Sequence, residues 1–147
     1  MTTQTETTNT SGDFMKKEFS PLAEGEYLVR MNRVSEVTSK AGNKMLKVGY
    51  QVINKVGDPD NETKSKNRLI FENFLLDHAN PKVGEITRDR IGKYLKAVGV
   101  ENGLDGIGGD FSQLERYTEL PFIAVVGIQE GNNGYSDSNK IKSYKRR

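Results

Sequence analysis

Cysteine is absent from the 147 residues. Disulfides, thiolate catalysis and cysteine-ligated zinc are therefore excluded, and a reducing, intracellular setting fits. No apolar run approaches the roughly 18 to 20 residues that a membrane span requires. The N-terminus also lacks the basic-then-apolar order of a secretion signal. The expectation is a soluble, cytoplasmic protein. The single histidine, His78, follows Asp77 in a stretch with Asn80 and Pro81. No Ser-His-Asp or Cys-His set can be assembled around it, so catalysis is not expected. A surplus of either charge is missing too: 22 basic against 20 acidic side chains leave a net charge of +2. The field of the whole molecule thus selects no polyanion, and the distribution of charge has to decide.

Hydrophobic residues make up 34% of the chain and charged residues 29%. That balance suits one domain with a small core and solvated segments attached. The opening "MTTQTETTNTSGDFMKKEF" has no apolar periodicity before Phe14. Residues 1–18 are expected to form a disordered arm and residues 19–147 the folded domain.

Tyr27, Val29 and Met31 alternate with Leu28, Arg30 and Asn32; Leu46, Val48, Tyr50 and Val52 alternate with Lys47, Gly49 and Gln51. Both runs read as strands, joined through the turn chemistry of "SKAGNK". "RLIFENFLL" reads as a third strand. Its consecutive apolar residues cannot all be internal, so Phe71 or Phe74 has to face outward, and the pattern does not choose between them. In "TRDRIGKYLKAVGV", Ile91, Tyr94, Leu95 and Val98 mark one face of an amphipathic helix, with Thr87 as N-cap and Gly99 just past its end. "FSQLERY" suggests a short helical turn. "LPFIAVVGIQ" and "KIKSYK" are the last two strands, with Pro121 tolerated at the start of the first.

Two further stretches carry weak signals. "DPDNE" has carboxylates at Asp58, Asp60 and Glu62 but neither the glycine nor the distal glutamate of an EF-hand loop, and it reads as a charged loop. "GLDGIGGD" is glycine-rich, yet no Lys-Ser or Lys-Thr follows it, so a phosphate cradle is not indicated.

The order strand, strand, strand, helix, strand, strand predicts a mostly β, OB-fold-like five-stranded Greek-key barrel with one α-helix between strands 3 and 4. "LAEGEYLVRMNRVSEVTSKAGNKMLKVGYQVIN", "RLIFENFLL", "ITRDRIGKYLKAVGV", "LPFIAVVGI" and "NKIKSYK" together resemble a group of small proteins of tailed bacteriophages, encoded beside replication and recombination genes. The resemblance runs from about Leu22 to Lys145. It rests on Gly25-Glu26-Tyr27, the Leu46-Val48-Tyr50-Val52 alternation, Ala97-Val98-Gly99 and Pro121-Phe122, which are mostly structural residues. It implies an OB-like fold, a phage origin and binding of single-stranded DNA in the host cytoplasm, with phage replication or recombination proteins as further partners. Bacterial proteins of similar function end in an acidic tip that recruits enzymes, whereas this chain ends Lys145-Arg146-Arg147; recruitment through such a tip is not implied.

Alternation in "KIKSYKRR" places Lys140, Lys142 and Tyr144 on one strand face, extended by Lys145, Arg146 and Arg147. Cations beside an aromatic suit a single strand, the ammoniums meeting phosphates and the ring meeting a base. Arg30, Asn32 and Lys47 lie opposite the apolar stripes, Lys40 and Lys44 sit in the first hairpin, and Asn132, Asn133 and Tyr135 in the last. All are expected to line one basic groove. Tyr135 and Tyr144 have two readings, stacking on bases or capping the barrel edge. The expected function is coating of single-stranded DNA with little sequence preference, without a cofactor and without enzymatic activity. Because one small barrel covers little strand, oligomerisation or cooperative assembly on DNA is expected. The rivals are an interaction module that docks onto phage enzymes without DNA affinity, and a small magnesium-dependent nuclease.

Overall fold

Period-two alternation becomes five strands in the computed structural model, which describes residues 20–131 and 136–147. They are β1 (Gly25–Thr38), β2 (Lys44–Lys55), β3 (Leu69–Leu75), β4 (Pro121–Gln129) and β5 (Ser138–Lys145). One helix, α1 (Pro81–Ala97), and two 3₁₀ turns (Gly103–Ile107 and Phe111–Tyr117) lie between β3 and β4. The expected arm of residues 1–18, and Asn132, Asn133 and Tyr135 of the expected groove, lie outside the described residues.

The strands form one antiparallel sheet in the order β3-β2-β1-β4-β5. β3 and β5 are its two edges, and the antiparallel steps between them make both run in the direction of β1. The mostly β architecture, with its helix between the third and fourth strands, matches the expectation. The sheet itself is open, since no pairing joins β3 to β5 among the described residues. Across the gap the two edges face each other over a cleft of about 880 Å³.

The inner face carries the apolar stripes. Tyr27, Val29 and Met31 from β1, Leu46, Val48, Tyr50 and Val52 from β2, and Phe122, Ala124 and Val126 from β4 are all buried. Each large aliphatic or aromatic side chain in such a position contributes about 1.5–3 kcal/mol of transfer free energy. α1 closes over this face with Ile91, Tyr94 and Leu95. Tyr94 stands edge-on to Phe122 at 5.2 Å, and Phe122 edge-on to Tyr50 at 5.8 Å, so one aromatic cluster joins helix to sheet.

The helix begins earlier than the sequence pattern indicates. Asn80 is the N-cap, its side chain accepting from the Lys82 amide at 3.0 Å, and Pro81 occupies the first helical position. This is a favourable start because proline has no amide to leave unpaired there. Thr87, expected as the cap, is instead buried inside the helix and donates from Oγ1 to the Leu75 carbonyl at 2.8 Å. The terminus past Ala97, with Gly99 at φ +104°, is as expected.

A second difference concerns β5. Val126 pairs with Ile141 while Val125 pairs with Ser143, so Lys142 is the extra residue of a β-bulge. A bulge shifts the alternation by one position. Tyr144 consequently faces inward with Ile141, not outward with Lys140 and Lys142. Its ring packs 6.0 Å from Phe122 and 6.4 Å from Tyr94.

Inside, Glu72 of β3 gathers three donors. Its carboxylate accepts from the Tyr50 hydroxyl at 2.7 Å, from the Tyr144 hydroxyl at 2.7 and 2.9 Å, and from Arg90 of α1, whose Nε lies 2.8 Å away. Arg90 also donates to the Ile141 carbonyl at 2.7 Å and stands over the Tyr144 ring at 5.3 Å. Sheet edges with no strand between them are thus clamped through one carboxylate. Glu72→Ala would leave two hydroxyls and a guanidinium without their acceptor. At about 1–3 kcal/mol for an unsatisfied buried group, the expected loss is roughly 2–4 kcal/mol in urea denaturation.

Burial pushes the Tyr50 phenol well above its ordinary value, and the neighbouring Tyr144 and Glu72 push the same way. Burial likewise raises Tyr144, with Glu72 adding and Arg90 opposing, and it raises Tyr94. In the unfolded chain these phenols ionise near pH 10. Above that pH the unfolded state binds fewer protons than the folded one, so stability is complete below about pH 10 and falls as pH rises further. Titration at 295 nm is expected to show Tyr50, Tyr94 and Tyr144 ionising only together with loss of far-ultraviolet ellipticity.

Candidate functional site

The face of β1, β2 and β3 turned away from the core is where cations and an exposed aromatic meet. Cross-strand register assembles it row by row. Arg30, Gln51 and Leu69 form one row, Arg33, Gly49 and Phe71 the next, and Ser35, Lys47 and Asn73 a third. Phe74 is buried at 2% exposure and Phe71 is 61% exposed, which settles which phenylalanine of β3 faces outward.

Glycine at position 49 lets the Phe71 ring lie close to the sheet. A Cβ there would sit 3.4 Å from Phe71 Cε1, 3.4 Å from Asn32 Oδ1 and 3.5 Å from Arg33 Cβ. Three side chains therefore converge above one backbone position. A bulge in β1 makes this convergence. Met31 pairs with Tyr50 and Arg33 with Gly49, leaving Asn32 as the extra residue. Strict alternation would turn Arg33 inward, whereas the bulge presents Asn32 and Arg33 together on the outer face.

Charge on this face is mostly free. Among the described residues Arg33, Lys40, Lys44 and Lys47 form no ion pair. Arg30 is the exception: it donates to Gln51 Oε1 at 2.8 Å and pairs with Glu119 at 3.4 Å. Lys40 stands in the first hairpin; Lys44, expected in that hairpin, instead opens β2 two residues before Leu46, so it is exposed but has the parity of the inner stripe, not that of Lys47. An aromatic face ringed by unneutralised cations and by the amides of Asn32 and Asn73 can stack a planar ring and pair with phosphates at the same time.

The remaining expected residues divide. Lys140 lines the cleft between β3 and β5 together with Phe71. Lys142 lies over Gly127 of β4, where a Cβ would approach its Cδ to 2.7 Å. Lys145 pairs with Glu26 at 2.7 Å, and Arg146 donates to the Lys96 carbonyl at 3.3 Å beside the end of α1. These three do not join the Phe71 face. Tyr144, turned inward by its bulge, takes the edge-packing role of its two readings. Arg33 and Asn73 were not singled out by sequence, and neither bulge leaves a mark in composition from which they could be found.

The other motifs are used locally. Asp58 accepts from the Glu62 amide at 2.9 Å and from Thr63 Oγ1 at 2.6 Å, and these bonds hold its carboxyl below the usual range. Part of "GLDGIGGD" winds into the first 3₁₀ turn.

Fold and site together define a small five-stranded antiparallel β protein with one covering helix and an outer face that carries the exposed Phe71 ring beside Arg33 and Lys47. The chain belongs to the family described as "Protein of unknown function (DUF669)", whose family model matches residues 7–147. None of the curated proteins matches it.

Replacing Gly49 by Val inserts atoms beneath the ring while suiting a strand backbone. Its stability is expected to stay within about 1 kcal/mol of the parent, while the ring-proton NMR shifts of Phe71 move. Unchanged shifts would mean that the ring does not rest on Gly49.

Proposed function

We propose that the chain binds single-stranded DNA with little sequence preference through the outward face of β1, β2 and β3. Phe71 stacks on a base while Arg33, Lys47, Lys44 and Lys40 follow the phosphates. The observation that carries this reading is the exposed Phe71 ring over Gly49, flanked by Asn32, Arg33 and Lys47. The resemblance to phage proteins and the helix between β3 and β4 support it. On this reading the sheet is an OB-type barrel opened between β3 and β5, and the protein protects single strands during phage replication or recombination in the host cytoplasm. Lys140 extends the track into the cleft, while Lys142, Lys145 and Arg146 lie outside it.

Fluorescence anisotropy of a labelled oligothymidine, with duplex of equal length as competitor, tests the proposal. The full chain is expected to prefer the single strand. Phe71→Ala is expected to weaken binding about tenfold, since stacking on one aromatic contributes roughly 1–3 kcal/mol. Arg33→Ala and Lys47→Ala should each lower the slope of log affinity against log salt by about 0.7. Lys142→Ala and Lys145→Ala should leave that slope unchanged. Absence of binding at low salt would put the interaction-module reading in its place.

A further inference from the structure

Arg30 is set apart from the other cations of the outer face by what holds it. Its Nε and Nη2 both donate to Gln51 Oε1, at 3.2 and 2.8 Å, and Gln51 Nε2 donates in turn to Asn67 Oδ1 at 3.1 Å. Asn67 sits at φ +68°, a conformation that asparagine tolerates better than most residues, and its amide donates to the Val52 carbonyl at 2.8 Å. A relay of two uncharged side chains thus orients the guanidinium. Its Nη1 donates to nothing among the described residues.

Glu119 supplies a charge to this guanidinium without a hydrogen bond. Its carboxylate comes within 3.4 Å of Arg30 Nε, yet both donors on that side are directed at Gln51. The two side chains are 41% and 54% exposed, so water screens the pair and it is weak. The backbone beneath Glu119 is strained: its φ of +67° lies in the left-handed region that favours glycine, and its amide is tied to the Met31 carbonyl at 2.8 Å. An unfavourable conformation therefore holds a carboxylate beside a guanidinium that it does not satisfy.

The row of Arg30 and Gln51 adjoins the row of Arg33, Gly49 and Phe71, two residues or about 7 Å away along β2. A base stacked on Phe71 brings its flanking phosphate toward Arg30. We infer that Arg30, oriented by Gln51 and Asn67, is a phosphate subsite of the outer face, filled in the free protein by the Glu119 carboxylate and taken over by a phosphodiester when a single strand binds. The inference rests on the single-strand reading and adds to it a contact that is exchanged, not newly made. The phosphodiester oxygens accept from Nη1 and from the second N–H of Nη2, a fork that Glu119 leaves open. Counterion release at that phosphate is offset by counterion uptake at the displaced Glu119, so Arg30 adds almost nothing to the salt dependence of the parent.

Glu119→Gln keeps the size of the side chain and removes its charge. In the oligothymidine titration this full-length variant is expected to bind about two- to fivefold more tightly than the parent at low salt. Its slope of log affinity against log salt should steepen by about 0.7. Glu101→Gln, which removes an equal charge from the loop after α1, should leave the slope unchanged. Adding Arg30→Lys to Glu119→Gln keeps the cation but removes the fork, and should cancel most of the gain in affinity. In the parent, the nitrogen-15 resonance of Arg30 Nε is expected to shift when the oligothymidine binds. A parent that binds while Glu119→Gln leaves the slope unchanged, an equal steepening in Glu101→Gln, a gain fully kept with Arg30→Lys, or an Arg30 resonance that the strand does not move would each overturn the subsite and leave the single-strand reading standing. Absence of binding by the parent and the variants alike would overturn both.

Discussion

A single carboxylate, that of Glu72, holds together three parts of the molecule that no backbone ladder joins. β3 and β5 are opposite edges of an open sheet, and α1 comes from a separate stretch of chain. Tyr50 presents its hydroxyl to Glu72 from β2, Tyr144 from β5 and Arg90 from α1. In the low-dielectric space beneath the helix such charge-assisted hydrogen bonds are strong, and any member left alone would be costly. Everything outward of that cluster inherits its geometry, including the separation of the sheet edges and the exposure of Phe71.

The same strand that brings Glu72 inward turns Phe71 outward, one residue away. Alternation on β3 thus couples the internal clamp to the outer contact face. A change in the tilt of β3 would move both together, because the pleat allows no independent adjustment of neighbouring side chains. Gly49 completes the coupling from β2, because the Phe71 ring lies just where a Cβ at position 49 would touch it, at 3.4 Å.

Two of the register shifts, the bulge at Asn32 in β1 and the bulge at Lys142 in β5, decide which cations belong to the face. The bulge in β1 adds Arg33 to a surface that already holds Lys47, while the bulge in β5 withdraws Tyr144 and leaves Lys142 over β4. One extra residue in a strand thereby gathers the contact face at one edge of the sheet and removes the tyrosine from the basic terminus at the other. Two of the terminal cations are then engaged structurally: Lys145 is paired with Glu26, and Arg146 sits against the carbonyl end of α1, where its charge complements the negative end of the helix dipole.

Period-two alternation was sufficient to read the inner stripes of β1 and β2, because one buried face forces the pattern. The 3.6-residue period likewise marked Ile91, Tyr94 and Leu95 as the buried stripe of α1. Arg30, Lys40 and Lys47 were legible as surface cations for the same reason, since each stands opposite an apolar stripe or in a turn. By contrast, the orientation of Phe71 against Phe74, the positions of the bulges and the open β3–β5 gap were not legible. Each depends on which strand lies alongside, and a bulge is defined only by the register of its partner. Local sequence determined the strands, the helix and their order; tertiary pairing decided which side chains share a face, since parity along a strand holds only until a neighbour forces an extra residue into it.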